Sequence, residues 1–300
     1  MSENLRPFSL TSAQKYNSKV DFKLFDAMLE AVPALKTRRD GQRFALGVYE
    51  FQKSCGLPPH ECDGKMGRQT YALLVKAMGE VNEHVVYDGA PVILPARDEY
   101  RLVTFEEQGG LDLHRFGHFS PRKQDIKGVC IHWGGLNARH CFNVFASPTR
   151  KVSSHFLLGL EDGQAVIYQV LDIKHSAWHG GKVNSHSIGI DICQQATIQW
   201  ADHYEDHDYG LEVIDNPSTR GERRVLSLHP ALRVAAALFI EDLMTALDLP
   251  IKPAPDADGI YEDEVERGRV TLYGHSHVNR RKWDIAPYWV DIMSELEQTS

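Results

Sequence analysis

The chain has 300 residues, 42% of them hydrophobic and 25% charged, the proportions of an ordinary folded protein large enough to bury one or two cores without covalent staples. Its formal net charge of -8 excludes a nonspecific nucleic-acid binder, whose affinity comes from clustered Lys and Arg at phosphates. Five cysteines, Cys55, Cys62, Cys130, Cys141 and Cys193, are an odd number without paired zinc-type spacing, so a complete disulfide framework is excluded and reduced thiols are expected.

The N-terminus, Met1 to Phe8, lacks the basic start and apolar stretch of a secretory signal, and no segment approaches the roughly 18 apolar residues of a membrane span. The expectation is a chain made as a soluble cytosolic protein. Residues 1–20 are polar and uncommitted. Over 21–80, Phe25, Met28, Leu29 and Val32, then Phe44, Val48 and Phe51, then Tyr71, Leu74, Val75 and Met78 recur at helical spacing, which predicts a small three-helix domain. Gly56-Leu57-Pro58-Pro59 and Asp63-Gly64-Lys65-Met66-Gly67, between the second and third helices, read as tight turns. The helical pattern stops near residue 80, and Gly89-Ala90-Pro91 with Pro95 mark 81–113 as a linker or irregular connection.

Residues 114–300 change character. Val129-Cys130-Ile131, Phe156-Leu157-Leu158, Ala165-Val166-Ile167-Tyr168, Ile188-Gly189-Ile190 and Val270-Thr271-Leu272 are short apolar or alternating runs bounded by turn residues, the pattern of strands. Glu161-Asp162-Gly163-Gln164 predicts a hairpin. A helix starts near Pro230 and carries Leu232, Ala235, Phe239, Leu243 and Leu247 on one face. The class is α/β, a mixed β-sheet flanked by helices. Residues 199–224 and 252–268, rich in Asp, Glu, His and Pro, read as solvated loops or insertions.

The run from Gly274 to Asp284 carries the chemistry. His275 and Asp284 are candidate metal ligands of the kind zinc prefers, and Lys282 places a cation beside them. Lys282 and Asp284 are two apart, so an extended segment sends both to one face and Trp283 to the other. The same residues also suit an ordinary basic surface loop, so a third ligand decides. His132, at the end of the run Gly128-Val129-Cys130-Ile131 and followed by Trp133-Gly134-Gly135, is placed at a sheet rim, where a structural histidine is the other reading. His277 is the rival to His275, and His155, inside an apolar run, reads as a sheet histidine.

The ordered blocks Gly128-Val129-Cys130-Ile131-His132, Val152-Ser153-Ser154-His155-Phe156, Ala177-Trp178-His179-Gly180-Gly181, Asn184, Ser187-Ile188-Gly189-Ile190-Asp191 and Gly274-His275 with Lys282 and Asp284 resemble the zinc-dependent N-acetylmuramoyl-L-alanine amidases. That family includes phage lysins, muropeptide-recycling amidases and peptidoglycan recognition proteins. The resemblance, over about residues 114–300, implies zinc held by His132, His275 and Asp284, with Lys282 on the oxyanion. It places Asp191 where recycling-type members carry a Glu and others use a Tyr, so the role of general base falls to a shorter side chain. It implies substrate contacts at Trp178, His179 and Asn184. It prefers His275 to His277 because Gly274 precedes it, and it is departed from at Ile285, where Pro or Gly is usual.

Val48, Phe51-Gln52, Gly56-Leu57, Asp63-Gly64, Gly67, Thr70 and Leu73-Leu74 resemble a three-helix peptidoglycan-binding domain, in which Cys55 and Cys62 flank the Gly-Leu turn. Two cell-wall modules together imply a peptidoglycan amidase. An inactive recognition protein and a stem-peptide endopeptidase are the other readings. Without a signal peptide, the expected routes to the wall are a phage holin-type pore or a dedicated secretion machine, with cytosolic recycling disfavoured by the wall-binding module.

Overall fold

The computed structural model describes residues 41–54, 56–58, 62–65, 70, 82–195, 197–202 and 210–299. Two compact units divide the chain, Met1–Glu83 with Gly89–Pro91 and His84–Asp88 with Val92–Ser300. No helix among the described residues is long and apolar enough to cross a membrane.

In the first unit the helix expected around Phe44, Val48 and Phe51 is α1 (Gly41–Ser54), which buries Ala45, Val48 and Phe51. Gln52 is buried near its end. Its Nε2 donates to Thr70 Oγ1 at 2.7 Å, and its Oε1 accepts from the Gly64 N–H at 2.8 Å. The side chain thereby fastens the Asp63-Gly64 turn, where Gly64 takes a φ of 68° that glycine adopts without penalty. Residues 1–20, the helices expected around Phe25 and Tyr71, and Cys55 lie outside the described residues.

From Asn82 onward the chain runs β1 (Asn82–Tyr87), β2 (Ala90–Pro95), β3 (Tyr100–Thr104), β4 (Phe119–Pro121), β5 (Gly128–Trp133), α2 (Ala138–Ala146), β6 (Phe156–Glu161), β7 (Gln164–Gln169), β8 (His175–Ala177) and β9 (Ser187–Ile192). It continues with β10 (Val213–Asp215), β11 (Arg224–Leu226), α3 (Pro230–Ala246), α4 (Glu262–Glu266), β12 (Leu272–Gly274), α5 (His275–Val278) and α6 (Trp289–Thr299). The main sheet has the order β12-β5-β9-β6-β7-β3. All its neighbours pair parallel except the β6–β7 hairpin, which turns at Asp162-Gly163 with both residues at positive φ, the geometry an Asp-Gly pair favours.

The 81–113 linker is corrected. Three strands occupy it, and β3 extends the main sheet in parallel register with β7 from Tyr100↔Ala165 to Thr104↔Gln169. The chain reverses between β1 and β2 at Asp88-Gly89, both at positive φ, so the glycine read as a linker sign is a hairpin turn.

Period-two alternation assigns the faces. Phe156, Leu158, Ile188, Ile190 and Ile192 pack with α3 and α6, while Leu157, Val166 and Tyr168 pack with Ala138, Cys141 and Phe145 of α2. The helix α3 starts at Pro230, capped by the His229 ring. Its buried Asp242 takes a bidentate pair from Arg97 at 2.9 and 2.7 Å, a planar match that suits guanidinium to carboxylate.

His155, one residue ahead of β6, is a buried histidine with both ring nitrogens hydrogen-bonded. Its Nδ1 accepts from the Gly189 N–H at 3.0 Å and its Nε2 donates to the His175 carbonyl at 3.0 Å. Arg122 lies beside it and donates to the carbonyls of Ile173, Ser185, His175 and Ser187. Burial first, and the Arg122 charge second, push the His155 pKa down to about 3. The ring is therefore neutral in the folded chain and takes up a proton near the ordinary pKa of about 6.5 once unfolded. Its contribution to stability is complete above that pH and is lost as pH falls toward the folded value. Replacing His155 by Gln, which keeps a donor and an acceptor, should flatten the fall of the melting temperature between about pH 7 and about pH 5. An unchanged slope in thermal melts would contradict this assignment.

Candidate active site

Three parallel strands end side by side at the site. In register, His132 of β5 lies opposite Asp191 of β9, and Gly274, the last residue of β12, lies opposite Ile131. His275 therefore begins α5 beside His132, and all three side chains gather at the carboxyl ends of the strands, where crevices open in parallel sheets. His132 and Asp191 sit on the face that α2 covers.

His132 Nδ1 stands 3.1 Å from His275 Nδ1 and 3.5 Å from Asp284 Oδ2, and His275 Nδ1 is 3.2 Å from the same oxygen. Ligand atoms held about 2.0–2.1 Å from a tetrahedral zinc are about 3.3 Å apart, so these edges match one face of such a site. Proton positions agree. The Val183 carbonyl only accepts, so the Ser187 hydroxyl donates to it at 2.7 Å. Ser187 Oγ then accepts from His179 Nε2 at 3.2 Å, and His179 Nδ1 accepts from His132 Nε2 at 2.9 Å. That chain directs the His132 Nε2 proton outward while Nδ1 faces the other two candidate ligand atoms, the arrangement in which a metal-bound imidazole gives its second N–H to an outer partner. Burial opposes a charge on this ring, but the Cys130 and Asp284 side chains beside it raise the His132 pKa well above the ordinary imidazole value. Burial opposes ionisation of Asp284, but the hydrogen bonds of His132 and His275 outweigh it and hold the carboxyl well below the usual carboxylate range. Burial lowers the pKa of His275 and, well below the ordinary value, that of His179.

The Asp284 segment departs from the sequence expectation. It turns instead of running extended, with Lys282 N–H on the Asn279 carbonyl and Ala286 N–H on the Trp283 carbonyl. Lys282, Trp283 and Asp284 consequently all line the cavity, and Trp283 does not point away. Its ring packs 5.1 Å from that of Trp133. Ile285, buried next to Asp284, has a φ of 73°, a left-handed conformation that a β-branched residue adopts only at a cost of about 1–3 kcal/mol. A Cβ on Gly274 would come 2.1 Å from Ile285 Cγ2. The residues adjoining the candidate ligands His275 and Asp284 thus lock together, and only glycine at 274 leaves room.

The cavity has a volume of about 540 Å³ and is lined by His132, Asp191, His275, Lys282 and Asp284 together with Trp133, Trp178, His179 and Trp283. Lys282 is exposed within it and makes no ion pair among the described residues. Burial raises the Asp191 pKa above the ordinary carboxyl value, against the pull of the His132 charge. His179 lines the cavity with both ring nitrogens already engaged. Asn184 does not line it: its Oδ1 accepts from the N–H groups of His179 and Gly180 at 3.1 and 2.6 Å, which braces the Trp178-His179 turn and corrects the expected substrate contact. His277 is fully buried and accepts the Gly274 N–H on Nδ1 at 2.9 Å, so it supports the strand end and stands outside the ligand triangle.

Residues 122–287, more than half of the chain, match the family described as Amidase_2, N-acetylmuramoyl-L-alanine amidase. The chain belongs to the N-acetylmuramoyl-L-alanine amidase family. It is an enzyme of that family, with a mixed sheet flanked by helices as the catalytic fold. The structure of PlyL aligns with 66% of this chain and 96% of its own at 16% identity and a TM-score of 0.39. The solution structure of the PlyG catalytic domain aligns with 66% and 93% at 16% identity and 0.38. The catalytic domain of XlyA aligns with 65% and 99% at 16% identity and 0.37. No curated protein matches the chain.

A second ligand-like group in the amidase, Cys130, His132 and His179, shares His132. It fits a metal less well, because burial pushes the Cys130 thiol up and zinc takes the thiolate. The residues that sequence reading missed are Trp133, Trp283 and Ser187. A tryptophan pair flanking Gly-rich and basic turns was a usable signal for the first two, whereas Ser187 acts only through His179.

The Gly274–Ile285 lock yields a paired test. Gly274→Ala should lower the zinc retained after dialysis at least tenfold, on the scale of lost supporting contacts, and adding Ile285→Ala should restore most of it by removing the clashing methyl. Full retention in the single variant, or no recovery in the double, would show that this contact does not set the ligand geometry.

Proposed function

We propose that this amidase is zinc-dependent and hydrolyses the amide between the lactyl group of N-acetylmuramic acid and the L-alanine of the stem peptide in peptidoglycan. The observation that carries the zinc is the convergence of His132 Nδ1, His275 Nδ1 and Asp284 Oδ2 at 3.1 to 3.5 Å on the floor of an open cavity. Zinc held by these residues supplies Lewis-acid polarisation of the scissile carbonyl and a water acidic enough to attack near neutral pH.

The protein residues do the rest. Asp191, on the strand beside His132, takes the proton of the attacking water, a task helped by burial that makes its carboxylate more basic than usual. It then returns that proton to the leaving alanine nitrogen. Lys282, exposed in the cavity and in no ion pair among the described residues, holds the oxyanion as charge develops there. Trp178 and Trp283 give the glycopeptide apolar walls, and His179 keeps His132 oriented through its outer nitrogen. The N-terminal unit, by its Gln52 and Asp63-Gly64 turn, supports a wall-binding role that raises enzyme concentration on an insoluble polymer.

The active site predicts its products. Digested sacculi should release stem peptides with a free N-terminal alanine amine and gain no new reducing ends, since glycoside cleavage ordinarily needs two carboxylates across the sugar bond. Disaccharide-peptides still joined at the lactyl amide in the mass spectrum would instead support cleavage within the peptide. Lys282→Ala should retain zinc yet lose roughly 10²-fold in turnover, the scale of one oxyanion donor. Near-normal turnover would leave Lys282 as a surface charge only.

A further inference from the structure

The segment between the ligands His275 and Asp284 begins with α5, a helix of four residues. A single turn is too short to be stable by itself, and the carbonyls at its end have no intrahelical partners. Those carbonyls are met from both polar insertions. Arg220, in the 199–224 insertion, donates through Nη1 to the Ser276 carbonyl at 3.1 Å and the Asn279 carbonyl at 3.4 Å. Tyr261, beyond the 252–268 insertion's Asp258, gives its N–H to the His277 carbonyl at 2.8 Å. Arg220 Nη2 joins the two insertions, donating to the Asp258 carbonyl at 2.9 Å and to Asp258 Oδ1.

The Arg220 loop is itself preformed. Asn216 Oδ1 accepts from the Ser218 N–H at 2.9 Å, and Asn216 Nδ2 donates to the Glu222 carbonyl at 2.9 Å. Ser218 Oγ accepts from Arg220 Nε at 3.3 Å, which aims the guanidinium. At the next residue the loop lies against Trp283, so closely that a Cβ on Gly221 would fall 2.1 Å from the indole. One short loop therefore touches the ligand segment at Ser276, at Asn279 and at Trp283, the neighbour of Asp284.

We infer that Arg220 is a positioning residue that holds His275 and Asp284 at metal-binding distance by tying the carbonyls of Ser276 and Asn279 to the insertion carrying Asp258. The planar fork is required, because it serves several carbonyls at once where an ammonium is a point donor. This rests on the zinc reading of the site, and deepens it by giving the insertions a task. Arg220 touches neither ligand side chain and does not line the cavity, so its effect is on geometry.

The test is zinc affinity of the full chain, measured by competition with a chromophoric chelator, alongside kcat, KM and the melting temperature of metal-free protein. Wild type should take up one zinc. Arg220→Ala should bind it about 10–100-fold more weakly, the usual range for lost outer partners, and should lose kcat with KM little changed. Free guanidinium should recover part of both. Arg220→Lys, which keeps charge and stem if the alanine variant does not fold, should remain about tenfold weaker than wild type. Wild-type affinity in Arg220→Lys or Arg220→Ala would overturn the inference while leaving the zinc reading intact. A loss that guanidinium does not repair, accompanied by an equal drop in metal-free stability, would also overturn it, by reducing Arg220 to a general structural role. A wild-type chain that takes up no zinc would sink the zinc reading, and the inference with it.

Discussion

Two imidazole nitrogens and a carboxylate oxygen meet within 3.5 Å at the mouth of a parallel sheet, and the surrounding structure is arranged to keep them there. Three electron-rich atoms drawn this close repel unless protons or a cation lie between them. The chain from the Val183 carbonyl through Ser187 and His179 directs the His132 Nε2 proton outward and leaves Nδ1 facing the other two atoms. Everything next to it then has a purpose: Gly189 leaves space for the His179 ring, which a Cβ there would meet at 2.8 Å, and Gly274 leaves space for Ile285.

The sheet sets the coarse placement. Parallel register aligns the ends of β12, β5 and β9, and alternation sends His132 and Asp191 to the α2 face while their apolar neighbours fill the α3 face. This division was legible in the sequence, because short apolar runs, an Asp-Gly turn and a Pro-started helix are local signals. The strand-end position of His132 was legible for the same reason. The ordered motifs also single out His132, His275 and Asp284, and the fold brings their polar atoms within 3.5 Å of one another.

What the sequence concealed has a common cause. Strands β1 to β3 are short and separated by Asp, Gly and Pro, so the turn residues that join them looked like a linker, and the pairing of β3 with β7 joins residues more than sixty positions apart. Asn184 looked like a substrate contact because its motif neighbours line the cavity, yet its side chain accepts hydrogen bonds from the backbone of its own turn. Arg220 looked solvated because its partners are mostly backbone carbonyls, groups present at every residue, whose selection leaves no mark in composition or periodicity. The polar insertions were therefore readable as loops, and their role as braces was not.

The central claim is the identity of the three ligands, and X-ray absorption at the zinc edge of the metal-loaded enzyme tests it most directly. The account predicts a first shell of nitrogen and oxygen only, at about 2.0–2.1 Å, with multiple-scattering features of two imidazoles. A sulfur scatterer at about 2.3 Å would contradict it, because it would move the metal inward to Cys130, His132 and His179 and leave His275 and Asp284 without their assigned role.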